Sequence, residues 1–478
     1  MEEYKHGIYV KEEDTELVSP VTGTAALPIV FGTAPINLIE NPYDAVNKPI
    51  LCNDFTECEK QLGYSENFKS YTLCMSMDAH FKVFKIAPVI FVNVLDPNKH
   101  VKKNDVQQYT VVDGQALVTT EGILLDTLKV SNGDIELTKD VDYLASFNDN
   151  GYVLLTIVSD TAIAAVTVES TSIAPESVTY EDIIGGYDAS TGVESGIETV
   201  RQVYPRFGKV PGLLLAPGWA HIPTVQAVLA AKSELLNGVF RCENVVDLDT
   251  TIATKYTDCK QAKEDAGLVD KHTIVLWPKV KIGEKVYAYS AIYAAMIGYM
   301  DANNDDVPNL SPSNILSKVT GTVLEDGTEV VLDQVQANTL NAQGIVTAIN
   351  DSGWKAWGNN TACYPAVTDP KDRWICCRRF FSWWGNSFIL TYKAKVDNPA
   401  NRILIDSIVD AENIKGNSYM QQGKCAGAKI EYRTEDNPVT GLLDGHIIFR
   451  QKMSPYTPAE SIENILSFDP DMLESALS

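Results

Sequence analysis

The sequence predicts a multidomain protein of α/β and α+β type, and two patterns carry that reading. Short, continuously apolar runs at residues 27–32, 89–95, 212–216, 245–248 and 273–277 alternate with helix-like stretches near 68–86, 193–204 and 222–237. Such runs suit strands buried on both faces of a parallel sheet, with helices laid over them. The second pattern is an interruption. Residues 99–182 are rich in Thr and Val, alternate in polarity, and carry Asn132-Gly133 and Asn150-Gly151. Asn-Gly accepts the positive φ of tight hairpins, so this block is expected to be a small antiparallel β domain inserted into the α/β one.

From about residue 346 the pattern turns to α+β. An aromatic and basic stretch at 373–384 precedes a long helix near 399–422, then strands at 428–434 and 445–453 around a turn containing Asn437-Pro438 and Gly441. Both ends read as arms, too short and polar to bury a core. Residues 1–19 carry strand-like Gly7-Ile8-Tyr9-Val10 followed by acidic Glu12-Glu13-Asp14. Residues 454–478 hold Pro455, Pro458 and Pro470 with acidic residues at 460, 463, 469, 471 and 474. The expected division is therefore an arm at 1–19, an α/β domain from 20–98 plus 183–345, the β insertion at 99–182, a C-terminal α+β domain at 346–453, and a tail at 454–478.

At 478 residues with 45% hydrophobic and 21% charged content, the chain can bury a large core divided among several domains. Its formal charge of -24 argues against nucleic acid as a partner, since neutralising phosphates takes a basic surface. The nine cysteines are irregularly spaced, which reads as reduced thiols of a chain made in the cytoplasm. No run approaches the roughly 18 apolar residues of a membrane span, and the N-terminus lacks a signal-peptide pattern.

The candidate chemical motifs are near misses. Gly208-Lys209 resembles the end of a phosphate-binding loop, but Val203 and Val210 stand where the loop needs Gly and Ser or Thr. Asp301-Ala302-Asn303-Asn304-Asp305-Asp306 begins like a calcium loop, yet Asp306 replaces the turn glycine and Pro312 the bidentate glutamate, so a solvated helix-terminal loop is expected. Cys376 and Cys377 are adjacent, without zinc-ligand spacing, and no two histidines lie three to five residues apart. His221, after the strand ending at Ala216, is placed where an α/β hydrolase-like enzyme carries its catalytic loops, but no nucleophile elbow accompanies it. No catalytic, cofactor or metal residue is therefore assigned. The basic and aromatic stretch around Arg373, Arg378 and Arg379 fits a helix with a buried aromatic face and an exposed basic one, rather than a single-stranded nucleic-acid site.

Several segments in order resemble the contractile tail sheath family, found in phage tails and R-type bacteriocins. They are His6-Gly7-Ile8-Tyr9-Val10 with residues 27–35 (LPIVFGTAP), Tyr204-Pro205-Arg206-Phe207 leading to Leu215-Ala216-Pro217-Gly218, and Ser311-Pro312-Ser313-Asn314. Residues 340–345 (LNAQGI), Trp357-Gly358-Asn359-Asn360-Thr361, Gly445-His446-Ile447-Ile448-Phe449 and residues 458–462 (PAESI) complete the series. The resemblance implies a structural subunit of a contractile injection apparatus. It would assemble in stacked six-subunit rings around an inner tail tube protein, with baseplate and terminator proteins at the ends. It implies that Gly7, Ile8, Tyr9 and Val10, and His446, Ile447, Ile448 and Phe449, are arm strands exchanged between subunits. Arg373, Arg378 and Arg379 would be basic residues facing the tube. No cofactor and no membrane insertion are implied. A hydrolase-like enzyme centred on His221 and a static structural array protein are the readings left beside it.

Overall fold

The computed structural model describes residues 21–159 and 163–478. Its centre is an eight-stranded sheet built from β1 (Pro28–Gly32), β2 (Ile50–Cys52), β3 (Val89–Asn93), β4 (Leu213–Leu215), β5 (Glu243–Asp247), β6 (Thr273–Leu276), β7 (Ile345–Asn350) and β8 (Trp354–Trp357). The spatial order is β8-β7-β6-β5-β4-β1-β3-β2. The six inner strands run parallel, and β2 and β8 close the edges antiparallel. Every residue of β1, β3, β4 and β6 is buried, as strands covered on both faces require.

Helices α1 (Pro223–Glu234), α2 (Cys259–Asp265) and α3 (Tyr289–Ala302) follow β4, β5 and β6. Helix α3 is apolar on nearly its whole circumference and buried along its length, so it presents no amphipathic stripe to a sequence reading. The stretch near 193–204, expected as one helix, divides instead. Val193–Ser195 pairs with Gly186–Asp188, a 3-10 helix spans Gly196–Gln202, and an α-helix spans Val203–Phe207. Gly196 has φ 57, and a Cβ there would lie 2.4 Å from the Ile183 carbonyl oxygen, so the chain bends where a continuous helix would have run.

The described strands between residues 107 and 169 form a four-stranded and a three-stranded antiparallel sheet around their own core, which includes Val118, Val130, Tyr143, Leu155 and Val166. Both Asn-Gly signals mark hairpins there. Ile135 pairs with Asn132 across Gly133-Asp134, and Phe147 pairs with Val153 across the loop holding Gly151. A two-stranded stem, Val101–Lys103 against Thr171–Ile173, joins this block to the rest.

The boundary expected between residues 345 and 346 falls inside β7, so residues 346–357 belong to the central sheet. Ile345 and Val346 pair with β6, and the rest of β7 pairs with β8. Beyond them lie α4 (Ile375–Tyr392), α5 (Arg402–Gln421) and a hairpin of β9 (Gly427–Tyr432) and β10 (Phe449–Ser454). The final strand starts at Phe449 rather than near 445. A short helix over Val439–Leu443 and the turn at Gly445, with φ 77, occupy the preceding residues.

Candidate functional site

The residues that attract attention as chemistry prove to be joints. Helix α4 sets its charged side chains against the central α/β body. The Arg379 guanidinium, 2% exposed, pairs with the Asp301 carboxylate of α3, 1% exposed. One turn on, Ser382 donates to Glu243 Oε1 at 2.7 Å, and His272 Nδ1 lies 3.5 Å from the same oxygen. Arg378 donates to Asp372 at 2.8 Å. Burial pushes the Glu243 carboxyl up, but the adjacent His272 ring and the hydrogen bond from Ser382 outweigh it and hold the group below its usual value. Asp301 differs: burial raises it, and Arg379 offsets only part of the rise.

This placement corrects the exposed basic face. Arg378 and Arg379 are buried with their counter-ions, which leaves neither guanidinium a surface on which to meet a tube. Arg373 is half-buried, stacked 3.9 Å over Trp374 and 4.3 Å over Tyr364, and bonded to Glu460 of the tail. The aromatic face packs inward: Phe380, Trp383 and Trp384 meet Tyr419 of α5, with Trp383 and Trp384 at 5.6 and 5.5 Å from it between ring centroids. That packing is a core, not a stacking platform for bases.

The acidic loop after α3 is spoken for residue by residue. Asp306 Oδ1 accepts the backbone N–H of Thr24 and Ala25 at 2.9 and 2.8 Å, which fixes the point where the N-terminal segment joins the body. Asp305 pairs with Lys424 at 3.0 Å, and Asp301 holds Arg379. The loop is thus a structural clasp, and Asp301 is buried rather than solvated. Among the described residues no group of three or more His, Cys, Asp and Glu side chains is arranged to hold a metal ion. Gly208 is the left-handed residue that ends the helix Val203–Phe207, and Cys376 and Cys377 are buried free thiols. His221 opens on a cavity of about 240 Å³ with Asp249, Asp265 and Gln226, and no serine, cysteine or lysine lines it. No described helix is long and apolar enough to cross a membrane.

The arm residues are placed unevenly. Gly7, Ile8, Tyr9 and Val10 lie outside the described residues. Of His446, Ile447, Ile448 and Phe449, only Phe449 is in a strand, and it pairs within this chain with Tyr432. Ile448 exchanges both backbone hydrogen bonds with the Asn437 side chain, at 2.7 and 2.9 Å, so these residues form the return of a cis hairpin and not a free strand. The hairpin still has one open edge. Asn413 of α5 covers the outer side of β9 by bonding both backbone groups of Ile430. Because Ile430 faces Gln451 and points its backbone outward, alternation makes Phe449, Gln451 and Met453 the residues of β10 whose N–H and C=O face away from β9. The free material lies further on: Ile465, Leu466 and Phe468 are 90%, 86% and 79% exposed.

The roles of Asp306 and Glu460 escaped sequence reasoning because each acts on a partner far away in the chain, and Asn413 went unnoticed because its partner Ile430 lies on the next element. Gly416 had a visible signal, a glycine inside the long helical stretch. A Cβ there would sit 2.3 Å from the Ala428 carbonyl oxygen, so its absence lets α5 lie directly on β9.

The buried charges tie the parts of this fold to one another, and its C-terminal end runs out apolar and uncovered. No family model matches the chain. Over 480 residues it is 25% identical to the tail sheath protein of Burkholderia phage BcepMu, covering 96% of this chain and 95% of that one. It is 24% identical over 354 residues to the major tail sheath protein of Serratia phage KSP20, covering 72% and 86%. Among solved structures, the fold is similar to a chain of the contracted PVC sheath complex of an extracellular contractile injection system. That match has a TM-score of 0.58 and 15% identity, over 98% of this chain and 99% of the other. A chain of the anti-feeding prophage baseplate matches with a TM-score of 0.60 and 15% identity, over 97% and 98%. Over nearly its whole length the chain is thus similar in sequence to phage tail sheath proteins and in fold to chains of contractile injection systems.

Proposed function

We propose that the chain is the sheath subunit of a contractile injection apparatus, either a phage tail or a released tail-like particle. It is made in the bacterial cytoplasm, polymerises as stacked six-subunit rings around an inner tail tube, and meets baseplate and terminator proteins at the ends. The rings convert from a metastable extended state to a contracted one with more contact between subunits, and so drive the tube through a target envelope. A gain of even a few kcal/mol per subunit, about 100–200 Å² of apolar area at ~25 cal/mol per Å², becomes a large output over many copies. The work is mechanical, and no enzymatic step enters it.

On this reading residues 20–98 and 183–357 form the α/β body, 99–182 an inserted β domain, and 358–453 the C-terminal unit, with arms at both ends. The observation that carries the proposal is the uncovered apolar C-terminal end. Ile462, Ile465, Leu466, Phe468, Met472 and Leu477 are all exposed, more apolar surface than a solitary chain keeps in water. The open edge of β10 supports strand addition by the Gly7-Ile8-Tyr9-Val10 segment of another copy, because backbone hydrogen bonds there need little side-chain fit. Of the three arginines, Arg373 is the half-buried one, which supports giving it the partner-facing role.

The test is electron microscopy and sedimentation of the expressed protein, with and without the inner tube protein. Sedimentable tubes in two lengths or diameters are expected, and removal of residues 1–19 should leave a folded monomer that forms none. Normal tubes from that truncation would refute the arm mechanism, and a single filament state under all conditions would favour a static array.

A further inference from the structure

The C-terminal arm has two parts with different fates. Pro455 is buried, Pro458 is half-buried, and everything from Glu460 onward is exposed. Residues 458–462 cross a cleft of about 720 Å³ whose other walls include Ser313, Asn338, Trp357 and Trp374. Past Pro455, only two direct hydrogen bonds tie this segment to the rest of the described chain. Arg373 donates to Glu460 Oε2 at 2.7 Å, and the Cys377 thiol makes a long contact of 3.9 Å with the Tyr456 carbonyl oxygen.

Arg373 is built for its task. Its guanidinium is stacked on Trp374 and Tyr364, and its Nε–H donates to Asn360 Oδ1 at 2.8 Å, which fixes the plane of the fork. Its neighbour Asp372 is already occupied by Lys371 and Arg378, so Glu460 is the carboxylate Arg373 pairs with among the described residues. A stacked, oriented guanidinium recognises a carboxylate with little further loss of freedom.

We propose that this cleft is a docking site for an extended peptide segment presenting a carboxylate, with Arg373 as the receptor group, and that the chain's own residues 456–462 occupy it in exchangeable fashion. The seat fixes where the apolar end, residues 462–477, departs from the body. Since one ion pair dominates the hold and the only backbone group of the segment bonded to the described body is the Tyr456 carbonyl, in its long contact with Cys377, the same seat accepts the corresponding segment of a second copy. The role given to the departing end rests on the sheath reading; the seat itself does not.

The test uses full-length monomer, so that it is separate from tube formation. A glutamate-specific protease should cut after the exposed Glu463 readily and after the seated Glu460 slowly. Arg373→Gln should speed cleavage after Glu460 by about tenfold, the value of a charge-assisted hydrogen bond of ~1.4 kcal/mol. A labelled peptide spanning residues 454–466 should bind the Glu460→Gln chain, whose tail is unseated but whose body is untouched, and its Glu460→Gln version should bind about tenfold more weakly. Equal cleavage after Glu460 in wild type and Arg373→Gln, or equal binding of the two peptides, would overturn the proposal. Failure to form tubes would count against the sheath reading and leave these results standing.

Discussion

Asp301 and Arg379 form an ion pair closed off from water between α3 and α4, joining the central sheet's most deeply buried helix to the first long helix of the C-terminal unit. Such a pair contributes little net stability when intact, because desolvation offsets the attraction, but breaking one side is costly. Arg379→Met should therefore destabilise the protein by about 3–5 kcal/mol, measured as a lowered urea midpoint. The double variant Asp301→Leu with Arg379→Met should recover most of that loss. If the double variant is as damaged as the single one, the pair has another role.

Gly416 tests the second joint. Helix propensity alone predicts a gain of about 0.5–1 kcal/mol for Gly→Ala in a helix interior. The Ala428 carbonyl oxygen stands 2.3 Å from where the Cβ would be, and backbone cannot yield as a side-chain tip does. Gly416→Val should cost about 2–3 kcal/mol and raise amide exchange in β9 and β10, while leaving the central sheet protected.

The legible part of this molecule was what local pattern controls. Continuous apolar runs such as Ile29-Val30-Phe31 mark parallel strands because both faces are covered, and Gly133, with φ 61, does at its turn what Asn-Gly anticipates. The illegible part was set by partners distant in sequence. Arg378 and Arg379 read as an exposed basic face since nothing nearby announces that Asp301 lies 78 residues from Arg379 in sequence and directly against it in space. Helix α3 hid for the opposite reason: buried all round, it lacks the stripe by which a helix is recognised. The exposure of the proline-bearing, acidic C-terminal stretch was legible in its composition, yet its division depends on the contact between Arg373 and Glu460, 87 residues apart.

His100 offers a pH test at the stem of the β insertion. Its Nδ1 accepts the Asp96 backbone N–H at 3.0 Å, so Nε2 carries the proton and lies 3.4 Å from Asp182 Oδ2. Burial lowers its pKa; Asp182 and Asp96 pull the other way, and Lys99 adds to the lowering. With the folded value below the unfolded one, the unfolded chain takes up the proton first as pH falls through about 6.5. Stability contributed by neutral His100 is thus lost on the acid side of that point and is full above it. His100→Gln, which keeps an acceptor for Asp96, should flatten the decline in stability between neutral pH and about 5. An unchanged profile would show that His100 titrates alike in both states.

Gln451 separates folding from assembly more sharply than any truncation. Its N–H points away from β9, so a proline there removes no hydrogen bond of the cis hairpin, and proline is tolerated on the open side of an edge strand. Arg450, its neighbour, faces Glu431 at a position where the ladder bonds are made, and a proline there removes one of them. Arg450→Pro should therefore unfold the hairpin in the monomer. Gln451→Pro should leave monomer stability within about 1 kcal/mol of Gln451→Ala, the control for losing the side-chain bond to Glu412. If the open edge receives a strand from another copy, Gln451→Pro abolishes sedimentable tubes and Gln451→Ala does not. Tubes from both variants would mean that subunits join elsewhere, and the exposed stretch from Ile462 to Leu477 would be the remaining place to look.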